Sequence, residues 1–223
     1  RPNMAVFGVS VRAPDWQAGG GEERYALLRQ IEQAAGESLY TQRLYRLAGA
    51  GAGLLPGLEV DCAEGSAVCG DTRLLLGGDC TAVWGREQTA LAALIEGQVR
   101  SVSLETVTGR GKVRYTLELP LLGWETSGDT LLLRARLTGY LKNLTDAGGL
   151  IHDGKQELAN EIAASLEEAA RQITRQTFGA GQDLLRMGFW LKNRDAAGCE
   201  ALLAAGRWYD PERIRWEIRL RAL

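Results

Sequence analysis

The 223-residue sequence predicts an α+β fold: an antiparallel sheet of four or more strands packed by a long C-terminal helix, with a smaller N-terminal α/β region. Three observations carry that expectation. Leu158, Ile162, Leu166, Ala169 and Ile173 recur every three to four residues and draw one apolar stripe along a helix. Ile214, Trp216, Ile218, Leu220 and Ala222 alternate with Arg213, Arg215, Glu217, Arg219 and Arg221, the period of a strand with one buried and one wet face. Three further strand-like runs, over 99–107, 112–119 and 130–142, precede the helix, and Thr108-Gly109-Arg110-Gly111 supplies a hairpin turn between the first two.

Taken in order, residues 4–11 are apolar and β-branched and predict a largely buried strand, followed by a glycine-rich loop over 17–21. Tyr25, Leu28, Ile31 and Ala35 stand at helical spacing and Gly36 ends that helix; a second helix is expected over 38–47. Gly49, Gly51 and Gly53 do not make a phosphate loop, because they follow a helix and lead into Pro56 and Gly57. They instead mark the stretch 49–71, with a short strand at 58–60, as a boundary between an N-terminal domain, 1–70, and a C-terminal domain, 71–223. Residues 73–76 and 81–84 flank Gly77 and Gly78 as short strands, and Leu91, Leu94 and Ile95 place a helix over 86–96.

With 45% hydrophobic and 24% charged residues the composition is that of an ordinary globular protein. A net charge of −2 gives no general attraction to nucleic acid or anionic lipid, so any binding surface must be local. No run is long and apolar enough to span a bilayer. Cys62, Cys69, Cys80 and Cys199 lack the spacing of a zinc or redox motif; in an exported protein Cys62 and Cys69 could close a disulfide, with Cys80 as a competing partner, and Cys199 reads as a small buried hydrophobe.

Catalytic candidates are weak. His152 lies in a loop-like Gly148-Gly149-Leu150-Ile151-His152-Asp153-Gly154 segment, remote in sequence from any evident nucleophile and base. Glu157, Glu161, Glu167 and Glu168 interleave with Lys155 and Arg171 as the solvated face of a helix does. Asn143-Leu144-Thr145 matches a glycosylation acceptor, a pattern too short to decide anything. The arginines of the last strand, spaced about 6.6 Å apart along one face, fit either a local anion or headgroup surface or a charged strand edge protected from pairing. No catalytic residue, cofactor or metal is expected.

A resemblance sharpens this. Asp183-Leu184-Leu185-Arg186-Met187-Gly188 follows the long helix, Trp208-Tyr209-Asp210-Pro211 lies farther on, and the alternating run 213–220 closes the chain. In this order the segment resembles the C-terminal domain of the Ger(x)C family, the C subunits of bacterial spore germinant receptors. Thr81-Ala82-Val83-Trp84-Gly85, the helix after it and Gly97-Gln98-Val99 are similar to the passage that opens the family's last domain. Ala197 and Cys199 stand where the family usually has Pro and Trp.

The resemblance implies a non-enzymatic lipoprotein on the extracytoplasmic face of the inner spore membrane, assembling with membrane-embedded A and B subunits. Its lipid-modified N-terminal cysteine is absent from this sequence and would lie before Arg1. Candidate structural and interaction residues are Asp183, a cap for the helix after the long one, Gly188, a close-packing point, Trp208, a core anchor, and Arg213, Arg215, Arg219 and Arg221. The alternative function is an envelope module that binds a small molecule.

Overall fold

A computed structural model describes residues 5–12, 20–38, 40, 42–43, 52–127, 132–206, 208 and 210–223. Packing divides the chain into two units, 1–89 and 90–223. The division falls inside a helix, well past the expected 70/71, because the expected linker is the centre of the first unit's sheet.

That sheet is built from β2 (Gly8–Arg12), β4 (Ala52–Asp61), β5 (Ser66–Leu76) and β6 (Asp79–Trp84), in the order β2-β4-β5-β6. β2 and β4 run parallel, joined across α1 (Gly21–Glu37), and the other pairs are antiparallel. Pro56 sits at a register shift between Leu55 and Gly57, the one kind of interior sheet position that tolerates a residue without an N–H. Gly57 is required there, since a Cβ would overlap the Asp71 carbonyl oxygen. Asp61 turns the β4–β5 hairpin: its carboxylate accepts from Ala63 N–H at 2.9 Å and Glu64 N–H at 3.1 Å. Gly77 and Gly78, both at positive φ, form the two-residue β5–β6 turn.

Three expectations fail in this unit. The strand over 4–11 is two strands, β1 (Ala5–Val6) and β2, and it is not largely buried, because β2 lies at the sheet edge with Val9 and Val11 about half exposed. The buried arc of α1 runs through Leu27 and Ala34, while Tyr25 and Leu28 face solvent. Instead of a helix over 38–47, β3 (Gln42–Arg43) pairs antiparallel with β1. Residues 39, 41 and 44–47 of that stretch, and the loop over 17–21 up to residue 19, lie outside the described residues.

α2 (Arg86–Ile95) carries the division between the units. The second unit holds β7 (Ser101–Thr108), β8 (Gly111–Ser127), β9 (Leu132–Asp146), the short β10 (Gly149–Leu150) and β11 (Ile214–Ala222). β7, β8, β9 and β10 pair antiparallel in sequence order. β11 departs from the expected arrangement: it pairs with β9 in parallel, Ile214 beside Leu133 through Ala222 beside Leu141. A parallel partner needs a long crossover, here α3 (Lys155–Phe178), α4 (Met187–Arg194) and α5 (Ala196–Ala204), two short helices where one was expected, followed by a 3-10 turn at Pro211–Arg213.

The five residues of the α3 stripe are all buried, against a sheet face that includes Leu117, Leu137, Leu141 and Ile218. Full burial of each Leu or Ile contributes about 1.5–3 kcal/mol. Trp216 locks the layers together. Its ring meets Trp124 edge-on with centroids 5.3 Å apart, and its indole N–H donates to Thr174 Oγ1 at 2.9 Å. The Thr174 hydroxyl in turn donates to the Ala170 carbonyl at 2.7 Å, so the Trp216 indole N–H and the Thr174 hydroxyl are both satisfied, whereas the buried indole N–H of Trp124 has no hydrogen-bond partner among the described residues.

β11 is an edge strand whose outer side is covered by α3. Ile218 N–H donates to Glu167 Oε1 at 2.9 Å, and the Leu220 carbonyl accepts from Gln156 Nε2 at 2.9 Å.

Candidate functional site

The sequence-derived candidates lie in two places within the second unit. The first is the start of α4. Asp183 precedes that helix by one turn, and its two carboxylate oxygens accept separately from Met187 N–H and Gly188 N–H, each at 2.7 Å. Both amides belong to the first turn, where no intrahelical carbonyl is available to them. Burial pushes the Asp183 carboxyl above the ordinary carboxylate range, against the pull of the two amides and of Arg186. Arg186, at φ 54, makes the left-handed step into the helix.

Trp208 packs over this turn. A Cβ on Gly188 would stand 2.7 Å from Trp208 Cζ2 and 3.1 Å from Asp183 Oδ2, so a residue without a side chain lets the indole and the carboxylate approach together. The Trp208 ring lies 5.9 Å from that of Phe178, the last residue of α3. Asp183, Gly188 and Trp208 are thus one cluster that ties the end of α3 to the start of α4.

The second place is the outward face of β11 and its neighbours. Arg215, Arg219 and Arg221 are exposed, whereas Arg213 lies below the strand and pairs with Asp210 at 3.7 Å. Parallel register sets Arg215 beside Arg134 and Glu217 beside Arg136. Glu217 is the hub, within 3.4 Å of Arg134, 3.1 Å of Arg136 and 3.6 Å of Arg219. Glu125 on β8 pairs with Arg136 at 3.1 Å and Arg134 at 3.8 Å. Part of the arginine row is therefore a ladder of ion pairs across three strands. Arg134, Arg136 and Glu125 could not be tied to the row from local alternation, because their proximity depends on the parallel register.

Other candidates resolve structurally. His152 is exposed. Glu161 accepts from Gly109 N–H at 2.6 Å at the β7–β8 turn, and Glu168 pairs with Arg171 at 3.0 Å. Together with Glu167 on the β11 edge, these carboxylates brace backbone and neighbours. Asp195, which the sequence reading passed over, accepts from Gly198 N–H at 2.9 Å and from the Thr126 hydroxyl, capping α5. Asn143 takes φ 53 and faces solvent, while Leu144 beside it is buried.

All four cysteines are free thiols. Cys69 stands opposite Leu58 and Cys80 opposite Leu75, whereas Cys62 lies in the turn beyond the Asp61–Ser66 pair. At about 3.4 Å per residue these offsets exceed the roughly 7 Å Cα reach of a disulfide, which rules out Cys62–Cys69 and Cys69–Cys80 bridges in this fold. Cys69 Sγ instead donates to the Ala34 carbonyl at 2.9 Å. Burial raises the Cys199 thiol pKa, in keeping with its place inside α5. Among the described residues no group of three metal-ligating side chains gathers, and no helix is long and apolar enough to cross a membrane.

In the first unit a cavity of about 190 Å3 opens between α1, β4, β5 and the start of α2. Glu37, Glu59, Cys69, Asp71, Arg86 and Thr89 are among its lining residues. The buried Thr89 hydroxyl has no hydrogen-bond partner.

No family model matches the sequence, and no curated protein matches it by sequence. Among solved structures the chain is similar to the crystal structure of the GerBC protein, with a TM-score of 0.65 and 10% identity, over 100% of this chain and 70% of that one. At that identity the likeness is one of fold. It is the Ger(x)C-like α+β fold that the residue pattern resembles.

Proposed function

We propose that this chain is a non-enzymatic C-type subunit of a spore germinant receptor, working with membrane-embedded A and B subunits at the extracytoplasmic face of the inner spore membrane. The observation that supports this most is the likeness to GerBC over the whole chain, reached independently from Asp183, Gly188 and Trp208 at the spacing of the Ger(x)C C-terminal domain. In this reading Asp183, Gly188 and Trp208 position α4, Arg215, Arg219 and Arg221 belong to the face offered to partner subunits, and Arg213 supports the turn that leads into that strand.

The test is deletion of the gene in its own spore-former, followed by nutrient-triggered germination and by affinity purification of the tagged chain from spore membranes. Loss of the response to one nutrient class and co-purification of two multi-span membrane proteins are the expected results. Unchanged germination on every nutrient, with no membrane protein recovered, would sink the proposal.

A second reading, a small-molecule sensor, is favoured by the cavity of the first unit, where carboxylates, Arg86 and the unpartnered Thr89 hydroxyl line one recess. Screening amino acids and sugars for a rise in melting temperature separates the two, because only a ligand that binds the folded state raises it.

A further inference from the structure

α4 buries Met187 and Leu191, packs Gly188 beneath Trp208 and turns its remaining positions outward. At about 100° per residue, the outward arc reads Lys192, Phe189, Asn193, Trp190, Arg194, so two aromatic rings stand inside it with a cation on either flank. Phe189 is 64% and Trp190 40% exposed, large fractions for residues that bury well when a core is available. Their rings contact each other edge-on at 6.1 Å rather than folding back onto the unit. Arg186, at the foot of the helix, adds a third exposed cation. None of the three cations makes an ion pair among the described residues, and the helix itself carries no carboxylate.

We infer that this arc is a lipid-contacting face that seats α4 on the surface of an anionic bilayer. Aromatic rings enter the boundary between headgroups and acyl chains while flanking Lys and Arg reach up to lipid phosphates. A protein partner fits less well. Aromatic rings and arginine also occur at protein interfaces, but a helix that carries Lys192 and Arg194 and no carboxylate calls for a surface that is itself anionic, which acidic lipid supplies. The eight residues of α4 are about 12 Å long, so the helix lies on the membrane and does not cross it. With the whole chain at −2, no general charge draws it to a membrane, so the attraction of this face is local and depends on anionic lipid. The inference goes beyond the receptor reading and does not need it, since the isolated chain suffices for the test.

The experiment is co-sedimentation of the isolated chain, at low ionic strength, with vesicles of equal parts phosphatidylcholine and phosphatidylglycerol, and with phosphatidylcholine alone. Binding is expected only to the anionic vesicles. Lys192→Ala/Arg194→Ala weakens it by about fivefold for each cation removed, and Phe189→Ala/Trp190→Ala by about tenfold or more. Brominated lipid quenches the wild-type tryptophan emission more than that of Trp190→Phe, a difference that a purely structural Trp190 would not produce. Circular dichroism confirms that each variant is folded; should the aromatic pair variant fail, the cation pair and Trp190→Phe still decide. A chain that stays in the supernatant with anionic vesicles overturns the inference, as does sedimentation equal to wild type in both pair variants.

Discussion

Asp183→Asn isolates what holds the start of α4. The substitution keeps size and shape but replaces one of two acceptor oxygens by an NH2 group. Met187 N–H and Gly188 N–H each use a separate oxygen, so either rotamer of the new amide turns a donor toward a donor. One charge-assisted bond is lost and one part-buried N–H is left without a partner, a cost of about 2–3 kcal/mol. For a chain of this length that lowers the melting midpoint by roughly 5–10 °C. Near-UV circular dichroism on heating reads the midpoint, and amide hydrogen exchange locates the effect. Protection should fall at Met187 and Gly188 before it falls at Ile162 or Leu166 in the middle of α3. A midpoint within about 1 °C of wild type, or exchange that accelerates evenly along both helices, would refute the capping role; the threshold corresponds to less than about 0.5 kcal/mol.

Three further outcomes are expected. Thr174→Val leaves the buried Trp216 indole N–H unpaired and should cost about 1–3 kcal/mol in urea unfolding. Glu217→Gln removes the hub between Arg134, Arg136 and Arg219; at low salt the loss is about 1 kcal/mol, and the gap to wild type should close at high salt. Glu105 is held below the ordinary carboxylate range first by its hydrogen bond with Lys112 and then by that with Arg114. Its folded pKa is thus below its unfolded one, so its contribution is present above the ordinary carboxylate range and is lost as pH falls through the depressed value. The urea midpoints of wild type and Glu105→Gln should therefore differ at neutral pH and converge in acid.

How far the sequence revealed this fold depended on whether each signal was local. The α3 stripe was legible because one face of one long helix does all the burying, and β11 because its alternation matches a sheet with one wet face. In α1 two apolar arcs compete, and nothing local shows that Leu27 and Ala34 meet the sheet rather than Tyr25 and Leu28. Of β4 only residues 58–60 read as strand, and the remainder reads as a linker because Pro56 and Gly57 look like breakers, whereas in the sheet they occupy a bulge and a point of close approach to Asp71. The direction of β11 was hidden for another reason: alternation fixes which face is buried and says nothing about which way the neighbour runs. At the candidate site Asp183 and Gly188 stood out through their spacing. Phe189 and Trp190 did not, since an eight-residue helix with two buried positions leaves too short a period to read.

The way α3 lies along β11 limits how this protein can recognise anything at that side of its sheet. An edge strand normally invites a visiting segment to extend the sheet, main chain to main chain, with little regard for sequence. Here the Ile218 donor and the Leu220 acceptor are already taken by Glu167 and Gln156. A visitor would have to displace two side chains anchored on a buried helix before making its first backbone bond. Recognition next to β11 is therefore left to the side chains of the wet face, where identity and charge matter, and the molecule is shielded at that border from the indiscriminate stacking that open sheets undergo.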